Sequence, residues 1–412
     1  MNTEWKKIRV GDVVTFQNGY AFKSKSFTTN GNYKLIRIKE LKNGKIVFFN
    51  DTVTINDTKN EYDKYKINYG DVIFALTGDP VSRNNPLSWV GRVGIYLHKK
   101  TALLNQRLCK VIFSDKVNSL FFYYYFKNFD NFYTLAKKAT GSANQANIST
   151  NTISDSIINL PNYETQRKIA YILNTIDTKI ETNNQINNNL EEQASSIYKA
   201  WFQDFTHFGD TKPNDWYWGT IKDLANDIIC GKTPSTKQTE FYGNEVPFIT
   251  IPDMHNNTYI IKTERYLSKF GANSQIKKFL PKNSICVSCI GTAGLVALVS
   301  EPSQTNQQIN SIISKEGISP YYIYFAMKSL STTINKFGQS GSTIVNLNKE
   351  HFSKLQVLIP SKSANYEFNQ LVKPYFEEIL QNQKQNIRLS LLRDTLLPKL
   401  ISGELDVSNV EI

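Results

Sequence analysis

The chain is poor in sulfur and imidazole, with four cysteines, three methionines and four histidines in 412 residues. Cys109, Cys230, Cys286 and Cys289 are too few for a disulfide scaffold and point to a reducing compartment. Long hydrophobic runs are absent too. The stretch Ile285 to Val299 is broken by Gly291 and Gly294 and falls short of the roughly 20 apolar residues that span a bilayer. The opening MNTEWKKIRVGD has no apolar core of a signal peptide. The expectation is a soluble, cytoplasmic protein. Hydrophobic residues at 40% and charged residues at 20% exclude a disordered chain.

Catalytic constellations are equally scarce. Gly231-Lys232-Thr233 resembles the end of a phosphate loop, but Asn226 stands where that motif needs its first glycine. An amino-methyltransferase would carry D/N-P-P followed by an aromatic residue. Asp79-Pro80-Val81 and Asn85-Pro86-Leu87 lack both the second proline and the ring. Cys286 and Cys289 form a lone CxxC inside a strand-like run, which reads as buried thiols because zinc requires four ligands. His98, His207, His255 and His351 are scattered, and no metal or catalytic pairing follows from their spacing.

What is abundant is positive charge, +12 overall. Residues 1–150 carry +12, 151–205 carry −3, 206–360 carry +4 and 361–412 carry −1. Two basic segments beside acidic connectors suggest a polyanionic partner. A genome biased toward Lys and Asn would give the same charge, so charge alone does not decide.

The chain also repeats itself. WKKIRVGDV near Trp5 faces WGTIKDLAN at Trp218, Tyr33–Glu40 faces Val246–Asp253, and Gly70–Gly78 faces Asn283–Gly291, all at an offset of 213. Asn105-Gln106 then meets Asn306-Gln307 at 201, Phe121–Phe126 meets Tyr321–Ala326 at 200, and the prolines at 161 and 360 close the series at 199. An ordered, slowly falling offset is the mark of duplication with loop deletions. The main step places an extra loop around Arg83, Asn84, Asn85 and Trp89 in the first copy.

Each copy opens with β-branched and aromatic runs bounded by Gly, Asn and Pro (35–38, 72–76, 93–97 and 248–251, 285–287, 295–299), followed by a helical stretch (119–128 and 320–329). This is an α+β domain written twice, with the Phe121–Phe126 and Tyr321–Phe325 rings assigned to its core. After each closing proline the pattern changes to period 3.5. In the first copy the seam is Ile169, Leu173, Ile176, Ile180, Asn183, Asn187, Leu190, Ala194, Ile197 and Trp201. In the second it is Phe368, Val372, Tyr375, Ile379, Asn382, Asn386, Leu389, Arg393, Leu396 and Leu400. About 40 residues at about 1.5 Å each make a coiled-coil helix of roughly 60 Å. Packed antiparallel, two such helices would bring the four seam asparagines together and make the chain a pseudo-two-fold symmetric object. An Asn-rich face turned to solvent is the other reading. Pro374 should kink the second helix or mark a late start.

Several segments carry a family resemblance: SSIYKAWFQDF (Ser195–Phe205), LLRDTLLPKLISGEL (Leu391–Leu405), GKTPS (Gly231–Ser235), PNYETQRKIAYILNTID (Pro161–Asp177) and the SGS before Thr343. Over essentially its whole length the chain resembles the specificity (S) subunit of type I restriction–modification systems. The first copy departs from the pattern, with QNGYAFKS (Gln17–Ser24) opposite GKTPS. The resemblance implies two tandem α/β target recognition domains (1–161 and 209–360), a central conserved helix (162–208) and a C-terminal conserved helix (361–405), the helices packed as an antiparallel coiled coil. It further implies recognition of a bipartite, asymmetric duplex DNA target. Two methyltransferase (M) subunits would dock on the helices and two motor-nuclease (R) subunits would complete the complex. S-adenosylmethionine, ATP and magnesium would sit on those partners, with no cofactor, metal or catalytic residue on this chain. An orphan DNA- or RNA-binding scaffold and a stand-alone nucleic-acid-modifying enzyme stay open as alternatives.

Arg reads guanine, Asn and Gln read adenine, and Lys binds phosphate. Loops rich in these residues are therefore the candidate DNA contacts. In the first domain they are Lys23, Lys25, Arg83, Asn84, Asn85, Arg92, Asn105, Gln106, Arg107, Ser142, Asn144 and Gln145. In the second they are Lys232, Thr233, Lys237, Gln304, Asn306, Gln307, Gln308, Gln339, Ser340, Ser342 and Thr343. Tyr198, Trp201, Phe202 and Phe205, clustered at a helix end, are candidates for a partner-binding patch as well as for the core.

Overall fold

The computed structural model describes residues 5–142, 144–339 and 347–412, without the side chains of 337–339. The chain divides into two compact units, Met1–Thr178 with Leu389–Ile412 and Lys179–Arg388.

The first unit is built on a sheet ordered Val14–Asn18, Leu108–Phe113, Val72–Ala75, Val93–Ile95, Lys45–Ile46, Leu41–Lys42. Its first four strands are antiparallel neighbours, and Lys45–Ile46 runs parallel to Val93–Ile95. A second sheet orders Thr54–Ile55, Tyr33–Ile36, Ala102–Leu104 and Lys66–Ile67. Helix α1 (Ser119–Lys127), capped by the Asn118 side chain accepting from Phe121 N at 3.0 Å, lays Phe121–Phe126 into the core.

The second unit repeats this plan. Ala225–Cys230, Ile309–Ser314, Ile285–Ser288, Val296–Val299 and Tyr259–Ile260 follow in the same order, again with the last pair parallel. Tyr242–Ile249 lies parallel to Gln304–Thr305 as Tyr33–Ile36 does to Ala102–Leu104. The strands anticipated at 35–38, 72–76, 93–97, 248–251, 285–287 and 295–299 all form, with bounds shifted by a few residues. The extra residues of the first copy fall mainly in the hairpin between the Phe74–Val93 and Val287–Val296 pairs.

One alignment is corrected. Lys6 pairs with Leu160 as Tyr217 pairs with Ile359, so the counterpart of Trp5 is the buried Trp216, whereas Trp218 is 64% exposed. A bulge at Ala225–Asp227 takes up part of the difference in register.

Two long helices flank the sheets: α2 (Tyr163–Phe202, 40 residues) and α3 (Lys362–Ser402, 41 residues). Asn162 and Ser361 side chains accept from the amides of Thr165 and Ala364 and cap their starts. Every seam position named above is buried or half-buried. Helix α3 begins well before Pro374 and continues through it, so the proline does not mark a late start.

The helices run antiparallel. In the first unit Arg393 Nη1 donates to Asp177 Oδ1 at 2.7 Å. In the second, Asn183 Nδ2 donates to Asn386 Oδ1 (2.8 Å) and Gln385 Oε1 (2.7 Å), and Asn382 Nδ2 donates to Asn187 Oδ1 (3.0 Å). The four asparagines meet, which decides against an Asn-rich face turned to solvent. Ile169 and Leu173 with Leu397 and Leu400 enter the first core; Tyr198 and Phe202 with Phe368 and Val372 enter the second. Among the described residues no helix is long and apolar enough to cross a membrane.

Candidate nucleic-acid interface

Glycine fixes the foundation of the site in both units. A Cβ on Gly19 would lie 2.2 Å from the Asn105 carbonyl, and one on Gly231 would lie 2.1 Å from that of Asn306. Only glycine permits this approach. It lets Tyr20 N donate to Leu104 O and Lys232 N donate to Thr305 O, both at 2.9 Å. QNGYAFKS and GKTPS, unlike in sequence, therefore occupy one structural place. No helix starts after Gly231-Lys232-Thr233, so these residues lack the helix N-terminus a phosphate loop would use.

In the first unit, Thr140–Ser142 and Gln145–Asn147 form a hairpin that pairs with Thr77–Gly78. Beside it the extra loop is tied down by its own polar groups. Trp89 Nε1 donates to Arg83 O (2.7 Å), Ser88 Oγ donates to Asp79 (2.8 Å), and Asn85 Oδ1 accepts from Leu87 N (3.2 Å). Arg83 reaches across to Asn144 Oδ1 (3.0 Å), and Arg92 donates to Leu87 O. The groove between this loop and the hairpin measures about 680 Å³. It is lined by five sequence-predicted residues: Asn85, Arg92, Arg107, Asn144 and Gln145.

Burial lowers the pKa of Arg92 and nearby Asp79 opposes this; its Nε has no partner. Arg107 is exposed and makes no ion pair among the described residues. Lys39 and Lys42 also line the groove and were missed by sequence reasoning. Their signal was positional: they follow the repeated strand, where the second copy has Pro252 and His255.

The other first-unit candidates lie outside the groove. Lys23 and Lys25 are exposed around the turn Ser24–Ser26. Asn84 and Ser142 are exposed on their loops, and Gln106 is exposed with its amide on Tyr20 O. Asn105 is 7% exposed and accepts from Arg107 N.

In the second unit Thr233 Oγ1 donates to Gln307 Oε1 (2.6 Å), joining two predicted loops. Lys232, Lys237 and Gln307 are exposed; Asn306 is 8% exposed and half-buried Gln308 hydrogen-bonds to it. Gln304 is corrected. It is fully buried, donating to Ala272 O and accepting from Gln275 Nε2, because the segment Ala272–Gln275 covers the short edge strand it lies on. Ser340, Ser342, Thr343 and the Gln339 side chain lie outside the described residues.

The partner patch is also corrected. Tyr198, Trp201 and Phe202 are 4–6% exposed. Phe202 packs against Tyr322 (4.8 Å), Phe368 (5.1 Å) and Trp216 (5.4 Å), and half-buried Phe205 rests on Trp216. These rings are core because residues distant in sequence cover them. Cys286 and Cys289 are buried free thiols, as expected, and burial pushes the former up to about 12.

The family model described as the type I restriction modification DNA specificity domain matches residues 2–192 and 213–389. The chain belongs to the type I restriction–modification DNA specificity family. The two matched segments cover both repeats. Among relatives, the HindI specificity subunit of Haemophilus influenzae is 36% identical over 342 residues, covering 66% of this chain and 74% of its own. The EcoBI specificity subunit of Escherichia coli is 23% identical and covers 98% of this chain and 87% of its own. The fold resembles the crystal structure of a type I S subunit from M. genitalium, with a TM-score of 0.64, 17% identity, and 97% and 96% coverage.

Proposed function

We propose that this member of the specificity family is the DNA-recognition subunit of a type I restriction–modification complex, with each unit reading one part of a split, asymmetric duplex target. The observation that carries this is the pairing of one fold with two different polar linings. The same strand order and the same glycine-seated turns present Arg107 in one unit and Gln308 in the other. A repeated scaffold with divergent base-reading residues suits an asymmetric target.

In this reading the long helices separate the two reading units and dock two methyltransferase subunits, and two motor-nuclease subunits complete the assembly. With Tyr198, Trp201 and Phe202 buried, the helices offer other apolar side chains for docking. They are Tyr171, Leu391 and Leu392 in the first unit and Tyr366, Leu371 and Ile387 in the second. The chain itself catalyses nothing. S-adenosylmethionine, ATP and magnesium belong to the partners.

Long-read mapping of modified adenines in cells expressing this chain with its methyltransferase subunit is the test. The expected result is one interrupted motif with two unlike halves. An uninterrupted motif, or no motif, would overturn the reading.

A further inference from the structure

The turn after Ala102–Leu104 in the first unit and the turn after Gln304–Thr305 in the second are the same object. Asn105 N donates to Ile36 O at 3.0 Å and Asn306 N donates to Ile249 O at 3.1 Å. Two residues on, the Asn105 side chain accepts from Arg107 N (3.4 Å) and the Asn306 side chain accepts from Gln308 N (3.1 Å). The carbonyl of Arg107 then accepts from Leu76 N and that of Gln308 from Cys289 N, each at 2.9 Å. The backbone position of residue 107 is thus that of residue 308, fixed by three matched hydrogen bonds.

Their side chains share a setting as well. Arg107 lines the first-unit groove together with Gly78. In the second unit the matching glycine, Gly291, has the Gln308 amide nitrogen 3.9 Å from the place its Cβ would take. Among the described residues Arg107 makes no ion pair that would have to break before it can donate. Gln308 Oε1 accepts from Asn306 Nδ2 at 3.1 Å, which fixes the orientation of the amide. One oxygen lone pair and the amide hydrogens remain for a ligand.

We propose that Arg107 and Gln308 are equivalent base-reading positions, Arg107 contacting a guanine in the half-site of the first unit and Gln308 an adenine in that of the second. This rests on the duplex-DNA reading above. A guanidinium fork matches guanine O6 and N7, and a carboxamide matches adenine N6 and N7. The buried Asn two residues before each reader fixes the reader's backbone.

The test uses the full chain and a library of randomised duplexes, with the bound fraction sequenced. Arg107→Gln changes one base preference, from guanine to adenine, in one half of the target. Gln308→Arg makes the reverse change in the other half. Each variant shifts discrimination at its position by about tenfold to a hundredfold and leaves the other half and the spacer alone. Arg107→Lys keeps the charge but loses the fork, so it lowers guanine preference while largely retaining the salt dependence of binding.

A uniform loss of affinity in Arg107→Gln, with the motif intact, would make Arg107 a phosphate contact and overturn the assignment. Changes in both halves would overturn the equivalence. If the unaltered chain enriches no duplex sequence, the duplex-DNA reading itself fails, and the assignment falls with it.

Discussion

Asp177 satisfies two cations at once. Its carboxylate accepts from Arg393 Nη1, from Lys127 Nζ (3.0 Å) and from the Tyr124 hydroxyl (2.9 Å), and it is 12% exposed. Burial pushes its pKa upward, but Lys127 and Arg393 outweigh that and hold it below the ordinary carboxylate value. In the second unit Glu191 is held low in the same way, burial being outweighed by Lys328, Thr258 and Tyr324. The folded pKa of each lies below its unfolded value of about 4. The stabilisation is therefore fully present above that value and lost as pH falls through the folded pKa. Asp177→Asn strands the partly buried Lys127 and leaves Arg393 with Asp394 alone, and should cost on the order of 2–4 kcal/mol near neutral pH. Urea unfolding at pH 6 and pH 3 checks this. The gap between variant and parent should shrink at the lower pH, and an unchanged gap would mean packing, not charge, is the cause.

At the scale of the element, the asparagine cluster is the place where the long helices forgo apolar contact. Asn183 is fully buried and its Oδ1 has no partner, a cost that leucine would not carry. What the amides provide is register, since each pairs with an identified residue on the opposite helix. Asn183→Leu alone takes the donor away from the half-buried Asn386 acceptor and should lower stability by roughly 1–3 kcal/mol. Replacing Asn183, Asn187, Asn382 and Asn386 together with leucine should instead raise the unfolding midpoint while admitting shifted registers. Spin labels at Glu192 and Gln381, on exposed faces within the second unit, would report one distance in the parent and several in the variant. A single distance in both would show the amides to be dispensable for register. These helices were legible in the sequence because a 3.5-residue period over about 40 positions has no competing explanation. The short strands were located but not ordered, since pairing depends on partners far along the chain. The rings at Tyr198, Trp201 and Phe202 were ambiguous for the same reason: Trp216 and Phe368, which bury them, are not neighbours in sequence. Gln304 reads as a loop residue in the sequence because its chemistry suits DNA and its strand is only two residues long.

For the whole molecule, linear boundaries describe the repeats, but compactness follows a different division. Lys179–Arg388 is one continuous segment, whereas the first unit needs Met1–Thr178 and, from the other end of the chain, Leu389–Ile412. The reason is visible in the packing. Leu397, Leu400 and Ile401 complete the core around Ile169 and Leu173, and Arg393 completes the ion cluster at Asp177. Gly403 sits where a Cβ would fall 2.7 Å from the Trp5 indole nitrogen. The helical period carries no mark of this division, because the seam is continuous through residues 178 and 388, where the compact units divide. The consequence is directional. A fragment of residues 179–388 retains every core partner of its unit and should unfold cooperatively by itself. A fragment of residues 1–178 exposes Ile169, Ala170 and Leu173, and should be protease-sensitive with slowed amide exchange confined to its sheet. Adding a peptide of residues 389–412 should restore protection to the Ile169–Asp177 turn of α2. Equal stability of the 1–178 fragment with and without that peptide would mean the chain's last helical segment is ornament to the first unit, in conflict with the burial of Leu400 at 2% exposure.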